Sequence, residues 1–374
     1  MRIVFLFVGE AHQLFHALPI AAELQALAPD FTVEIALSSE AQRPVLDQVL
    51  AAYPGFTPNV RMLGQRGPAK WVKLLGLARR RRLPFLLGAI PYLRRFDAIM
   101  VPERTTTAIR HFLSSKTQLM FTPHGAGDRA IMLDPRDRYF DFVLVAGQKS
   151  ERRLLEAGTI RPDHYAVNGY VKMDLMERLR PLRQKLFDNS RPTVLYAPHF
   201  RAQLSTWEKF GRQIIEYFSR QDDFNLIVAP HVRMFANATP SAVEEIMQLA
   251  IPDKILIDLG SDRLFDMTYT GGADIYLGDV SSQVYEFLQR PKPCIFLNAH
   301  DAPWQGNEDY LFWTLGEVIS DMSQLHHALV HAHDDHPRYA EAQQTALAES
   351  VGGDPRGAAR RGAEAVMRFL ARRR

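Results

Sequence analysis

The sequence predicts an α/β protein built as two doubly wound, mostly parallel domains with a cleft between them. Three observations point there. Short apolar, β-branched runs alternate with helical patterns, the rhythm of strands connected by crossover helices. That rhythm breaks once, near residues 170 to 190, and then restarts. The chain has 374 residues, beyond the roughly 250–300 at which single hydrophobic cores stop growing.

In order, "RIVFLFVG" reads as the first strand, "HALPIAAELQALA" as a helix, "TVEIALSS" as a strand and "EAQRPVLDQVLAAY" as a helix. Strands follow at "FDAIMVP", "TQLMFTP" and "FDFVLVAG", the last running into the helix "QKSERRLLEAG". Beyond the break, "TVLYAP" is a strand, "WEKFGRQIIEYFSR" a helix, and "FNLIVAP", "KILIDL", "ADIYLG" and "PCIFLN" are strands with helices between. The expected division is 1–170, 171–350 and a basic terminal helix at 351–374.

Composition is that of a folded globular chain, 47% hydrophobic and 23% charged, and neither a repeat nor a low-complexity tract interrupts it. The single cysteine, Cys294, excludes an intramolecular disulfide framework; within "PCIFLN" it reads as a small buried hydrophobe and suits a reducing compartment. The apolar opening meets Glu10 and His12 at once, so it reads as a strand and not as a signal peptide. No run approaches the roughly 18 apolar residues of a membrane span. A cytoplasmic protein, soluble or peripheral at the inner face of the membrane, is expected.

Net charge is only +3, but its distribution is uneven. From Lys70 to Phe96 there are eight Lys and Arg and no acid, interleaved with Trp71 and leucines, and a second basic stretch closes the chain. Such a pattern suits contact with an anionic membrane surface, or simply a solvated helical face. No nucleic-acid-binding module accompanies the charge, so nucleic acid is not an expected partner.

Ligands of doubly wound sheets sit beyond the carboxyl ends of the strands. There the sequence is polar: "TQLMFTP" leads to His124, Gly125 and Arg129, "TVLYAP" to His199 and Arg201, "LIVAP" to His231 and Arg233, and "ADIYLG" to Asp279, Ser281 and Ser282. Arginine offers fixed charge and forked donors to phosphate, and histidine moves protons near neutral pH. A helix starting near Ser282 would present unpaired N–H groups to an anion, or be an ordinary serine cap without ligand. Asp279 would repel an anion and is expected to turn aside, capping the helix or orienting a neighbour.

Other residues carry two readings each. His12 and His16 follow the first strand, as acceptor-side groups or as packing. Lys172 either reaches a phosphate or is a solvated hinge lysine. Trp304 and Trp313 read as packing, and His327 and His331, one helical turn apart, as exposed helix more than metal site. No Asp-x-Asp or Cys/His cluster of metal-ligand spacing lies near the strand ends, so no obligatory metal is expected.

In order and spacing, "HGAG", "YAPHFR", "APHVR" and "GDVSSQVYEFLQRPKPCIFLN" resemble the CDP-glycerol glycerophosphotransferases, the group of teichoic acid polymerases and primases. The resemblance covers roughly residues 100 to 345. It implies a GT-B architecture of two facing Rossmann-like domains, with acceptor side first and nucleotide donor side second. It implies an enzyme that transfers an alcohol phosphate from a CDP-activated donor to a hydroxyl of a lipid-linked or glycan acceptor, releasing CMP and using no cofactor. His124 would then match the family's general base, and His231 the histidine at the donor pyrophosphate. Ser281 with Ser282 would be the phosphate cradle, Arg201 the arginine after Tyr-Ala-Pro, and Glu286 a ribose ligand. A family histidine is absent from "DLGSDRLFDMTYTGG", and His199 is a candidate to serve in its place. Two other readings stand beside this one: a glycosyltransferase or epimerase using a UDP-sugar, and a non-catalytic scaffold for a phosphorylated polymer.

Overall fold

The computed structural model describes residues 1–64, 82–124, 133–180, 185–281 and 283–372. It divides into two compact units, Met1–Pro181 with Ala348–Arg374, and Leu182–Leu347. The sequence suggests a border at 170/171 and a separate terminal helix. Instead, the Val171–Leu179 helix stays with the first unit and the last helix, Ala358–Ala371, returns to it.

The first unit holds seven parallel strands, β1 (Arg2–Phe7), β2 (Thr32–Leu37), β3 (Asn59–Met62), β4 (Ala98–Val101), β5 (Gln118–Phe121), β6 (Phe142–Val145) and β7 (Tyr165–Val167), in the order β3-β2-β1-β4-β5-β6-β7. In register, Ile3 pairs with Val33 on one side and with Ala98 on the other. The inner strands are mostly apolar because helices cover both faces; in β2 the buried Glu34 accepts from Arg2 and from the Tyr92 hydroxyl. On one face Val4, Leu6, Ile99, Val101, Leu119 and Val143 pack with Leu86, Ala89 and Leu93 of the Arg82–Leu93 helix. Successive strand residues point to opposite faces, so Phe142 lies on the other side, stacked on Phe369 of the last helix at 4.6 Å. Gly147, just past β6, leaves room for the returning chain: a Cβ there would meet the Glu349 carbonyl oxygen at 2.3 Å.

The second unit holds six parallel strands, β8 (Thr193–Ala197), β9 (Asn225–Val228), β10 (Ile255–Ile257), β11 (Ile275–Gly278), β12 (Cys294–Leu297) and β13 (Glu317–Ile319), in the order β10-β9-β8-β11-β12-β13. In both sheets the strand order reverses beside the first strand, between β1 and β4 and between β8 and β11. Chains leave that point toward opposite faces, and a crevice opens at the carboxyl ends. Cys294 is buried in β12, and burial pushes its thiol pKa up, as expected of a packing residue.

Among the described residues no helix is long and apolar enough to cross a membrane. Of the basic stretch from Lys70 to Phe96, residues 70–81 lie outside the described residues, as do Gly125, Arg129 and Ser282.

Candidate functional site

In the first unit the loops after β1, β4 and β5 converge on His124. Its Nδ1 lies 2.7 Å from the Pro102 carbonyl oxygen, at the end of β4. A carbonyl only accepts, so Nδ1 carries the proton and Nε2 is left with a lone pair. Burial is the main cause that lowers the His124 pKa, with Arg104 adding to it and the Pro102 bond opposing. The ring is therefore neutral at pH 7 and presents a basic nitrogen.

His12 and His16 surround this imidazole, with ring centroids 5.7 and 6.3 Å from that of His124. His12 lies 3.5 Å from Glu10. His16 is buried, 5.4 Å from the Tyr170 ring, and its pKa is driven far below the ordinary value by burial, then by Lys172, His124 and His12. Lys172 is 6% exposed. It is thus not a solvated hinge lysine but a side chain held inside the unit, where it adds to the effect of burial on His16.

In the second unit, β8 lies between β9 and β11, so its loop touches both neighbouring loops. The His231 N–H donates to the Pro198 carbonyl at 3.0 Å. His199 and His231 rings lie 5.9 Å apart, and Phe200 packs on each at 4.6 Å. The Arg201 and Arg233 guanidiniums stand over the Phe200 ring, 5.7 and 5.5 Å from its centroid, and both arginines are exposed. One aromatic ring thus gathers two imidazoles and two fixed positive charges.

The two His-x-Arg loops share a bond pattern. The Arg201 N–H donates to His199 Nδ1 at 3.1 Å, and the Arg233 N–H to His231 Nδ1 at 3.2 Å. An accepting Nδ1 places the neutral ring's proton on Nε2, the reverse of His124. Burial and then Arg233 push the His231 pKa down to about 4, so that ring is a neutral N–H donor at pH 7.

Asp279 is 1% exposed and turned into the protein. Its carboxylate accepts from the His199 N–H at 3.0 Å, and from the Thr206 N–H and hydroxyl at 2.9 and 3.2 Å. It therefore fixes the β8 loop from the end of β11, and the indole N–H of buried Trp313 donates to its backbone oxygen at 3.3 Å. Ser281 is also buried, and its Oγ accepts from the Gln283 N–H at 3.3 Å. The helix it caps, Gln283–Phe287, has only five residues, too few for aligned peptide dipoles to build a strong positive end. Half-buried Glu286 lies on that helix. The fixed positive charge at these strand ends lies on Arg201 and Arg233 rather than at this helix.

The parts not singled out from sequence are Phe200, Thr206 and the bond of Trp313. Phe200 lies inside the quoted "YAPHFR", between the two residues it organises, but only the fold brings His231 and Arg233 to its ring. His327 and His331 do touch, at 4.3 Å between centroids. Among the described residues, however, no group of three or more His, Cys, Asp or Glu is placed to hold a metal.

The chain matches no protein-family model and no curated protein. Solved structures share its fold along nearly its whole length. The wall teichoic acid polymerase TagF is 12% identical over 99% of this chain and 90% of that one, with a TM-score of 0.65. MnaA of S. aureus, solved with UDP, is 14% identical over 99% and 97%, at 0.63. The UDP-GlcNAc 2-epimerase of Neisseria meningitidis, bound to UDP-GlcNAc, is 16% identical over all of both chains, at 0.61. At such identities the likeness concerns the fold, which is GT-B-like with two Rossmann-like α/β units. It is a fold on which both a polymerase and an epimerase are built.

Proposed function

We propose that the chain transfers an alcohol phosphate from a CDP-activated donor to a hydroxyl acceptor and releases CMP. The observation that carries this reading is the opposite placement of imidazole protons: His124 offers a lone pair on Nε2, while His199 and His231 offer N–H groups beside two arginines. Transfer of a phosphoryl centre needs a proton acceptor for the attacking hydroxyl and dispersed positive charge for the oxygens of donor and leaving group. An epimerase of sugars has no such need for a hydroxyl nucleophile.

In this reading His124 Nε2 takes the acceptor's hydroxyl proton as its oxygen bonds to the phosphorus that bears the alcohol. The bond from that phosphorus to the bridging oxygen breaks, and CMP leaves with the electron pair. Arg201, Arg233 and the Nε2–H groups of His199 and His231 stabilise charge on the pyrophosphate. Asp279 holds the His199 loop in position and does not touch the anion. The site meets the charge with arginine, so the reading requires no metal, and the donor is a substrate, not a cofactor. Glycerol, ribitol and other polyols all fit the chemistry.

A UDP-sugar reaction is the second reading, favoured by the UDP-bound neighbours of the same fold. Nucleotide release from a panel of CDP-alcohols and UDP-sugars, with lipid extract as acceptor source, separates the two. CMP released from one CDP-alcohol, and lost in His124→Gln, is the expected result; UDP release would replace this reading by the second. Donor binding without turnover, unchanged in His124→Gln, would favour the non-catalytic scaffold.

A further inference from the structure

The Arg82–Leu93 helix, "RLPFLLGAIPYL", carries no charge after its first residue. Its inner face, Leu86, Ala89, Tyr92 and Leu93, is buried against the sheet. Its outward face is Leu83, Leu87, Gly88 and Pro91, with Leu83 45% and Leu87 43% exposed. The hydroxyl of Tyr92 does not relieve this, because it turns inward to Glu34 at 2.9 Å. An outer helix of an α/β unit normally shows polar residues to water; this one shows none between Leu83 and Leu93.

The rim supplies what the face lacks. Arg94 and Arg95 follow the helix, both exposed, and among the described residues neither has an ion pair. Arg94 Nε donates to the Phe112 carbonyl oxygen at 2.8 Å, which sets Phe112, 48% exposed, beside the end of the helix. The other basic stretch differs. In the Ala358–Ala371 helix Val366, Phe369 and Leu370 are buried and Met367 half-buried, Arg360 and Arg368 lie 3.2 and 4.0 Å from Glu364, and the helix covers the opposite face of the sheet. Basic charge marks both stretches, but among the described residues an open apolar surface of large side chains accompanies only the first.

We propose that the outward face of the Arg82–Leu93 helix, with Phe112, Arg94 and Arg95, docks on an anionic lipid bilayer. Leucine and phenylalanine enter the acyl boundary while guanidiniums remain at the headgroups. A second copy of the chain is a poor occupant, since a two-fold contact would bring the same uncompensated arginines together. This surface is distinct from the nucleotide chemistry, and its test does not depend on it.

The test is cosedimentation of the full chain with vesicles of phosphatidylcholine alone and of phosphatidylcholine mixed with phosphatidylglycerol. Binding is expected to the mixed vesicles, to weaken with salt, and to fall by about tenfold in Leu83→Asn/Leu87→Asn. Arg94→Gln/Arg95→Gln should remove the preference for phosphatidylglycerol. Leu83 and Leu87 face solvent, so the melting curve of the leucine variant should match the parent, while the arginine variant should melt slightly lower because Arg94 loses its bond to the Phe112 carbonyl. Three results would overturn the proposal: no binding by the parent, equal binding to both vesicles, or parent-like binding by the leucine variant. Dissociation of a parent dimer by the leucine variant, seen by light scattering, would instead assign the face to a second copy.

Discussion

His124 and His231 are both neutral at pH 7, yet they hold their protons on opposite nitrogens, because one ring faces a carbonyl and the other a backbone N–H. His124 must be unprotonated to act as base, and burial already lowers its pKa. The acid limb of kcat/KM should therefore fall below pH 6.5, the unperturbed value, and His124→Gln should cost about 10²–10⁴ in rate. For His231 the measurable consequence is stability. Between pH 6.5 and about 4 the unfolded chain binds a proton there that the folded chain refuses, so folding weakens as pH falls through that window. Buried His16 adds a contribution of the same sign. His231→Gln should lose less melting temperature than the parent on going from pH 7 to pH 4.5; parallel loss in both would show that His231 does not titrate as its burial implies.

At the scale of elements, the loops after β8, β9 and β11 are one assembly because those strands are neighbours. Asp279 is its fastening. Asp279→Asn turns an amide N–H₂ toward backbone N–H donors and should destabilise the protein by about 1–3 kcal/mol. With His199 loosened, KM for the donor should rise more than kcat falls, which steady-state kinetics can read. The same neighbour relations explain what was legible in the sequence. Most inner strands announce themselves as apolar runs, β2 being interrupted by Glu34, and their polar carboxyl ends bring the histidines and arginines to notice. β3, β7 and β13 do not, and all three are edge strands of three or four residues. "NVRM" is half exposed and "EVI" too brief to form a pattern. The roles of Phe200 and Thr206 and the indole bond of Trp313, itself read as packing and found buried, were illegible for another reason: they arise from contacts with residues distant in sequence, such as His231 and Asp279.

The whole molecule is an insertion of one unit into another. Residues 182–347 form the second unit, and residues 348–374 return to complete the first. The terminal helix buries Val366, Phe369 and Leu370, and at its start the Gly357 and Ala359 N–H groups donate to the Asp174 carboxylate, each at 3.0 Å. Ending the chain after Leu347 should leave the helix Leu14–Leu27 and Phe142 uncovered. The expected outcome is loss of the first unit's amide protection in hydrogen exchange, with that of the second unit retained. Uniform loss across both units would mean that they fold as one cooperative body.

This nested order also bears on synthesis. β1 leaves the ribosome long before the Ala358–Ala371 helix that seals its core. At roughly 5–20 residues per second, the first unit waits tens of seconds with apolar surface open, while the second can close as soon as its own residues emerge. The later-born unit is thus free to fold first, and the earlier one is the natural client of a chaperone.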